Sequence, residues 1–189
     1  MFSELRQAVS VFLALTVITG LAYPLLVTGA AQLVFPRQAN GSLVPCDGVI
    51  VGSSLIGQTF SDPKYFWGRP SATSPSCNAA ASSGSNLGPS NPALHDAVKR
   101  RCEALRAADP ENKAPIPIDL VTMSGSGLDP HISIASALYQ AGRVAGARGL
   151  DRAAVEAMVA EHASRPIAPG LGEPIVNVLE LNLALDGKI

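Results

Sequence analysis

The chain has 189 residues and a net charge of −1, from 14 basic and 15 acidic side chains. This near-neutral balance argues against a nucleic-acid-binding protein, because such proteins carry a basic face, and the one basic cluster, Lys99–Arg101, fans around a predicted helix. The three cysteines, Cys46, Cys77 and Cys102, lack the spacing of a zinc site. One disulfide between an unspecified pair stays open, although three unpaired small side chains are the favoured interpretation.

The most informative element is the uncharged, largely apolar stretch from Gln7 to Pro36. It predicts a transmembrane helix over residues 9–34, because about 20 apolar residues already cross a hydrocarbon core of about 30 Å. A cleaved signal peptide is the alternative, but the apolar part of a signal peptide is shorter, at about 7–15 residues. Gly20 and Pro24 do not contradict the prediction, since membrane helices tolerate both residue types.

The flanking charges predict the orientation of this helix. Arg6 and the terminal amine lie before it, whereas Arg37 is the only basic residue in the first two dozen positions after it. Positive charge is retained on the cytoplasmic side. We therefore expect a short cytoplasmic N-terminus at residues 1–8 and a soluble extracytoplasmic domain at residues 35–189.

The first half of the soluble part predicts a strand at Gly48–Gly52, a mini-core of aromatic residues and one helix. The aromatic residues are Phe60, Tyr65, Phe66 and Trp67. Asn91 is a good N-cap and Pro92 fits the first helical position, so a helix is expected to start there and to stop before Asp109–Pro110.

The second half predicts a strand at Ile116–Met123 and a helix at about 130–148 that begins with Asp129 and Pro130. A further helix follows Gly149 and Asp151 and runs to about Ser164. Alternating apolar residues from Ile175 to Asp186 predict a C-terminal strand. The order of these elements predicts one mixed α+β domain, a mixed sheet with helices, behind a single transmembrane helix.

Two Ser/Gly-rich loops raise the question of phosphate binding. The loop Ser83-Gly84-Ser85-Asn86 has no basic neighbour. Gly125-Ser126-Gly127 is followed by Leu128-Asp129 where a phosphate-binding loop needs a lysine and then a serine or threonine, and Asp129 would place a negative charge where the phosphate should bind. We interpret both as structural turns, with the first a weak nucleotide-loop candidate. The chain also lacks a GxSxG nucleophile elbow, so independent enzymatic activity is not expected.

Several unusual strings, in order along nearly the whole chain, resemble the KdpC family, the C subunits of the Kdp potassium-transporting P-type ATPases. They are Leu55–Gln58, Phe66 with Arg69–Ala72, Ser85–Pro92, Ser124–Ser133, Gln140 with Arg143–Ala145, Gly172–Pro174, Val176–Leu179 and Leu181–Asp186. The departures are small: Met123 replaces a smaller residue, and Gly84 stands alone where a glycine pair is usual.

The resemblance implies an accessory subunit of a high-affinity, ATP-driven potassium uptake complex in the plasma membrane. It implies three partner subunits: a channel-like potassium-binding subunit, an ATP-hydrolysing P-type subunit and a small single-helix subunit. The family is described as acting in assembly and as a catalytic chaperone that raises the ATP affinity of the catalytic subunit. This chain has neither a DKTGT-like phosphorylation motif nor a TVGYG-like filter.

We therefore expect no catalytic residue, no metal site and no tightly bound cofactor, with ATP and potassium handled by the partners. The alternative is a membrane-anchored extracytoplasmic enzyme or binding module unrelated to potassium transport. The motif residues predicted to contact partners are Arg69, Pro70, Asn86, Gly88, Pro89, Asn91, Gly125, Gly127, Asp129, Pro130, His131 and Arg143.

Overall fold

The computed structural model describes residues 2–166, 168, 170 and 172–188, which form two compact units, residues 1–43 and 44–189. The first unit is helical. It contains α1 (Phe2–Val17), a π-helical segment (Ile18–Ala22), α2 (Tyr23–Val34) and a single turn, α3 (Pro36–Ala39).

The predicted apolar helix is confirmed as one continuous helix. It spans Phe2–Val34, 33 residues, and none of its side chains is buried in the protein. At about 1.5 Å per residue it is longer than the hydrocarbon core of a bilayer, so it can cross with tilt or overhang. From Gln7 onward this helix carries no charged side chain, and its length and composition are those of a helix that can cross a membrane.

The π-helical segment has a local cause. Pro24 has no N–H and therefore interrupts the regular ladder of the helix. One residue earlier, the Tyr23 amide donates to the carbonyl of Ile18, five residues back, instead of the carbonyl of Thr19. The helix thus accommodates its proline by a change of hydrogen-bond register rather than by ending.

A two-stranded hairpin, β1 (Leu43–Cys46) and β2 (Val49–Ser53), follows in the chain. Asp47 and Gly48 form its turn, with φ angles of 51° and 78°. Two consecutive positive φ angles are what a tight hairpin turn requires, and Asp-Gly is a preferred pair for it. The predicted strand at Gly48–Gly52 is confirmed with a shift of one residue.

The other sheet of the second unit has three short strands in the order β3 (His131–Ser133), β5 (Ile175–Asn177) and β4 (Ala163–Ser164). Both pairings are antiparallel. The central strand places buried Val176 opposite buried Ile132, so this small sheet carries part of the main core.

Helix α4 (Pro92–Ala108) has the limits that its sequence predicts. The Asn91 side-chain oxygen accepts from the Ala93 amide at 3.0 Å, and the helix ends at Asp109. It packs through Leu105, which is almost fully buried.

Helices α5 (Ile134–Arg148) and α6 (Arg152–Glu161) are joined across Gly149, which has a φ of 65° and closes α5, and α6 is capped by Asp151, as predicted. The predicted start of α5 at Asp129–Pro130 is wrong. Ser133 is the N-cap, and its hydroxyl accepts from the Ser136 amide at 3.1 Å.

The predicted C-terminal strand is also wrong beyond its first residues. After β5, Asn177 caps a helix, α7 (Val178–Leu185), by accepting from the amides of Leu179 and Glu180. This helix is buried on two faces: Val178 and Leu181 join the main core, whereas Leu179 and Leu183 pack with Val44 and Cys46 of the hairpin. Two buried faces on one helix produced the apparent alternation of a strand.

The predicted strand at Ile116–Met123 is replaced by one 3₁₀ turn at Ile118–Leu120. Pro115 and Pro117 remove two amide donors from this segment, which leaves it unsuited to a ladder. Within this segment Leu120 is buried in the main core, and the Asp119 carboxylate accepts from the Ser133 amide at the start of α5.

The main core lies between the three-stranded sheet and the helices of the second unit. The aromatic prediction is confirmed for Phe66 and Trp67, which are buried in this core. The three cysteines are unpaired, with Cys46 buried and the other two half-buried, as favoured from the sequence.

Candidate functional site

The two Ser/Gly-rich loops predicted from the sequence lie against each other. The Ser83 amide and the Ser82 hydroxyl both donate to the carbonyl of Ser126, at 3.0 and 2.9 Å. These bonds join the start of the Ser83–Asn86 loop, and Ser82 just before it, to the Gly125–Gly127 loop. The main-chain and hydroxyl groups that a nucleotide would need are therefore partly engaged between the loops themselves.

Glycine is required where these two main chains meet. Gly127 has a φ of 69°, and a Cβ atom there would lie 2.6 Å from the carbonyl oxygen of Ser83. A Cβ atom on Gly84 would lie 2.8 Å from the carbonyl oxygen of Gly125. Such distances are too short for any side chain, so these glycines permit close contact between backbones. Asn86 adopts a left-handed φ of 51° at the end of the first loop.

The motif positions after this loop form the turn that leads into α4. The Asn91 amide donates to the carbonyl of Gly88 at 3.0 Å, with exposed Pro89 between them. Gly88, Pro89 and Asn91 thus shape the start of a helix.

A charged cluster lies beside the second loop and consists of Arg69, Asp129 and His131. Arg69 Nη1 donates to Asp129 Oδ2 at 3.1 Å. The other carboxylate oxygen, Oδ1, accepts from the His131 amide at 3.0 Å and lies 3.3 Å from His131 Nδ1. The structure therefore brings together three of the residues predicted to contact partners, and it replaces the helix-starting role expected of Asp129 by a role in this cluster.

The environment of Asp129 favours its charged form. Burial raises the pKa of this carboxyl, but the hydrogen bonds from His131 and Arg69 outweigh burial, so the net pKa lies below its ordinary value. All three side chains of the cluster are about one-quarter to one-third exposed. The carboxylate consequently stays negative at neutral pH and is open to solvent on one side.

The cluster lines an open cleft of about 430 Å³ at the edge of the three-stranded sheet. Asp119 lies in the same cleft and holds the start of α5. Its carboxylate accepts from the Ser133 amide at 2.8 Å and from the hydroxyls of Ser133 and Ser136. An acidic residue at a helix N-terminus is stabilising. Sequence reasoning missed this role, because Asp119 is 14 residues away from Ser133.

Arg143, the last of the predicted motif residues, lies on the inner face of α5. Its guanidinium stacks on Trp67, 4.6 Å from the ring centroid, and donates to the carbonyls of Pro63 and Tyr65. Arg101 covers the same ring at 5.4 Å. Burial lowers the pKa of Arg143 to about 10, which leaves it charged at neutral pH. Arg143 thus fixes the segment around Trp67 rather than facing a partner.

Two amide side chains hold this segment in place, and neither was predicted as a site residue. Asn182 accepts from the Phe66 amide at 2.8 Å and donates to the Phe66 carbonyl at 3.0 Å. Gln140 does the same for Trp67, at 2.9 and 3.1 Å. Each buried amide imitates the edge of a neighbouring strand. The residues after this segment, Arg69 and Pro70, are positioned as a result.

Two further prolines predicted to contact partners, Pro70 and Pro130, supply main-chain acceptors. The Pro70 carbonyl accepts from the Ser124 amide at 3.2 Å, and the Pro130 carbonyl accepts from the Val178 amide at 2.9 Å. Both bonds tie the charged cluster to its surroundings.

The chemistry available to this site is that of polar recognition. His131 interacts with a carboxylate and not with a hydroxyl or thiol nucleophile, so the cluster does not have the order of a nucleophile–base pair. Within residues 2–166, 168, 170 and 172–188, no group of three His, Cys, Asp or Glu side chains has the geometry to hold a metal ion.

A family model and individual relatives both match this chain over nearly its whole length. The family model described as "KdpC: K+-transporting ATPase, c chain" matches residues 5–187. A "Potassium-transporting ATPase KdpC subunit" of Variovorax paradoxus (strain S110) is 64% identical over 189 residues, covering 100% of this chain and 98% of the relative. Proteins of the same name from Sorangium cellulosum (strain So ce56) and Dechloromonas aromatica (strain RCB) are 63% and 64% identical, with 99% and 96% of both chains covered.

Proposed function

The chain belongs to the KdpC family of K⁺-transporting ATPase c chains, and we propose on this basis that it is the accessory subunit of an ATP-driven potassium uptake complex. The observation that carries this proposal is the match over residues 5–187, which includes both the apolar anchor and the domain. Similarity confined to one of the two would have left the pairing of anchor and domain unexplained.

The subunit's role in this proposal is structural rather than catalytic. ATP hydrolysis belongs to a P-type partner, potassium binding to a channel-like partner, and a small single-helix subunit completes the complex. The engagement of His131 with Asp129 and the mutual contact of the two Ser/Gly-rich loops support this division. The family's chaperone effect on ATP affinity then acts through contact between subunits, with a coupling free energy of about 1–3 kcal/mol, as is typical of allostery.

The orientation completes the proposal. With Arg6 and the terminal amine retained in the cytoplasm, the anchor places the domain outside, where it caps or stabilises the outer face of the channel-like subunit. The charged cluster of Arg69, Asp129 and His131 is the surface that we assign to this contact, because it is partly exposed and polar, and Arg69 and His131 are both paired with Asp129.

Co-purification tests the proposal directly. The tagged full-length chain, co-expressed with the other proposed subunits of the complex, should retain a multi-span membrane subunit and an ATPase subunit through detergent extraction. Substitution of Arg69 by Ala should lower this recovery, whereas substitution of Arg152, an exposed arginine on α6, should leave it unchanged. Recovery of the chain alone would contradict the proposal.

Thiol labelling tests the orientation. In a chain whose three cysteines are replaced by Ala, Lys188→Cys should react with a membrane-impermeant reagent in intact cells, and Ser3→Cys should react only after lysis. The opposite pattern would place the domain in the cytoplasm.

Calorimetry tests whether this chain itself binds ATP or potassium. The full chain in detergent should give no saturable heat with Mg-ATP or with potassium at sub-millimolar concentration. A one-to-one isotherm with Mg-ATP that is lost on changing Ser83, Ser85 or Asn86 would support direct nucleotide binding instead.

A further inference from the structure

A second, smaller pocket shares Arg69 with the cleft of the charged cluster. It has a volume of about 220 Å³, and the two arginines that line it, Arg69 and Arg101, come from a loop and from α4. Its other lining side chains are uncharged, and none of the described residues around it is Asp or Glu. We call it the arginine pocket. Its side chains therefore make it electropositive.

The guanidinium of Arg101 is held in place but not neutralised. Its Nε and Nη2 donate to the carbonyls of Leu120 and Gly68, at 3.0 and 2.9 Å. Its Nη1 has no hydrogen-bond partner within the described part of the chain, and none of the described carboxylates forms an ion pair with it. Burial lowers the pKa of Arg101, and no acidic neighbour offsets this effect. Arg101 thus brings a largely buried positive charge that lacks a counter-charge.

Arg69 has one donor to spare as well. Its Nη1 and Nη2 donate to Asp129 and to the Met123 carbonyl, at 3.1 and 3.4 Å, whereas its buried Nε has no partner. Among the described residues, the Tyr139 hydroxyl is the only other buried side-chain group in this state. Because buried polar groups are nearly always hydrogen-bonded, an unpaired buried donor indicates that a group able to accept from it belongs nearby.

The uncharged side chains of the arginine pocket are compatible with an anion. Burial raises the pKa of the Cys77 thiol, so this group stays neutral and adds no negative charge. Thr59 and Ser76 are exposed, so solvent reaches the pocket past two hydroxyl groups that can donate hydrogen bonds. Guanidinium groups bind the oxygens of phosphate-like anions especially well.

We propose that the arginine pocket binds a small tetrahedral oxyanion of the phosphate or sulfate type, held by Arg69 and Arg101 with Ser76 at its edge. A tetrahedral anion presents oxygens in several directions, as donors arriving from a loop and from a helix require. The pocket is smaller than the roughly 300 Å³ at which sites for larger organic ligands begin, so it does not fit a nucleotide. The inference goes beyond the proposed function and does not rest on it, because the site lies within this one chain.

Calorimetry with inorganic phosphate tests the site. The full chain in detergent, in a phosphate-free buffer of constant ionic strength, should bind sodium phosphate one-to-one with a millimolar or tighter dissociation constant. Acetate, a planar anion, should bind more weakly under the same conditions. Equal affinity for acetate would overturn the assignment to a tetrahedral oxyanion.

Ser76 provides a matched pair of variants. Ser76→Asp places a negative charge at the pocket and should lower the phosphate affinity by about ten-fold or more. Ser76→Asn has a similar size without the charge and should bind phosphate like the unsubstituted chain. Because Ser76 is exposed, both variants are expected to fold, which the fluorescence of Trp67 checks.

Asp129→Asn provides a change in the opposite direction. It removes the carboxylate that competes for Arg69, so the phosphate affinity should rise by about two- to ten-fold. Misfolding does not imitate a gain of affinity, so this variant tests the electrostatic argument independently of stability.

The combined outcomes decide the inference. Saturable phosphate binding that falls in Ser76→Asp, persists in Ser76→Asn and rises in Asp129→Asn supports it. Absence of saturable heat at millimolar phosphate, or an unchanged affinity in Ser76→Asp, overturns it. Neither result bears on assembly of the complex, which co-purification tests separately.

Discussion

Replacing Asn182 by Ala should be among the most damaging single changes in the domain. The side chain is 2% exposed and makes both hydrogen bonds of the Phe66 main chain, at 2.8 and 3.0 Å. Its loss leaves a buried N–H and a buried C=O unpaired, at about 1–3 kcal/mol each. The higher helix propensity of Ala offsets about 0.5 kcal/mol. We expect the free energy of unfolding to fall by about 2–5 kcal/mol.

The single tryptophan of the chain provides the assay. Trp67 is buried next to Phe66, and the anchor contains no tryptophan, so its fluorescence during denaturant unfolding of the full chain in detergent reports on the domain alone. Asn112→Ala is the matched control. Asn112 also makes main-chain bonds in both directions but is half-buried, so water replaces them and the cost should be only about 0.5–1.5 kcal/mol.

Equal losses in the free energy of unfolding for Asn182→Ala and Asn112→Ala would refute the reasoning. They would show that the Phe66 main chain finds other partners, and that Asn182 does not hold the aromatic segment.

Three further predictions use the same fluorescence assay. Gly127→Ala should cost about 1–3 kcal/mol, because φ is 69° and the facing main chain is too close, whereas Gly125→Ala, with nothing near its Cβ, should cost under about 0.5 kcal/mol; similar losses would contradict this. Burial raises the pKa of Asp186, but hydrogen bonds including that from Arg148 outweigh burial and hold the pKa below its ordinary value. The contribution of Asp186 to stability is therefore present above the unfolded pKa of about 3.9 and is lost as pH falls through the lower folded pKa. Asp186→Asn should flatten this acid dependence of the free energy of unfolding, and an unchanged pH profile would show that the Arg148–Asp186 ion pair does not contribute. Ser133→Ala should cost about 0.5–2 kcal/mol by removing the N-cap of α5, and a change below 0.3 kcal/mol, on the order of experimental error, would assign the cap to another group.

Features that depend on neighbouring residues could be predicted from the sequence. The anchor followed from an uninterrupted apolar run, the limits of α4 from Asn91 and Asp109, and the end of α5 from Gly149. In each case the physical cause, whether transfer into hydrocarbon, a capping bond within three residues or a left-handed φ, acts within the segment itself.

The errors arose where a local pattern allowed two structures. The alternation in Val178–Leu185 fits a strand with one apolar face as well as a helix buried on two, and only the presence of both apolar clusters decides for the helix. Likewise Asp129 is a good N-cap by type, but the pairing of its neighbours with β5 moved the start of α5 to Ser133.

The family could thus be recognised, and the anchor and most helices placed, from the sequence by itself. The family motifs follow one another in order along the chain, and the interactions that form these helices involve residues close in sequence. The candidate site was decided only by the tertiary structure. Asp129 meets Arg69 across 60 residues, and Asn182 meets Phe66 across 116. Such contacts depend on how the whole chain closes around its core, and a residue's type and immediate neighbours carry no information about a partner so distant in sequence.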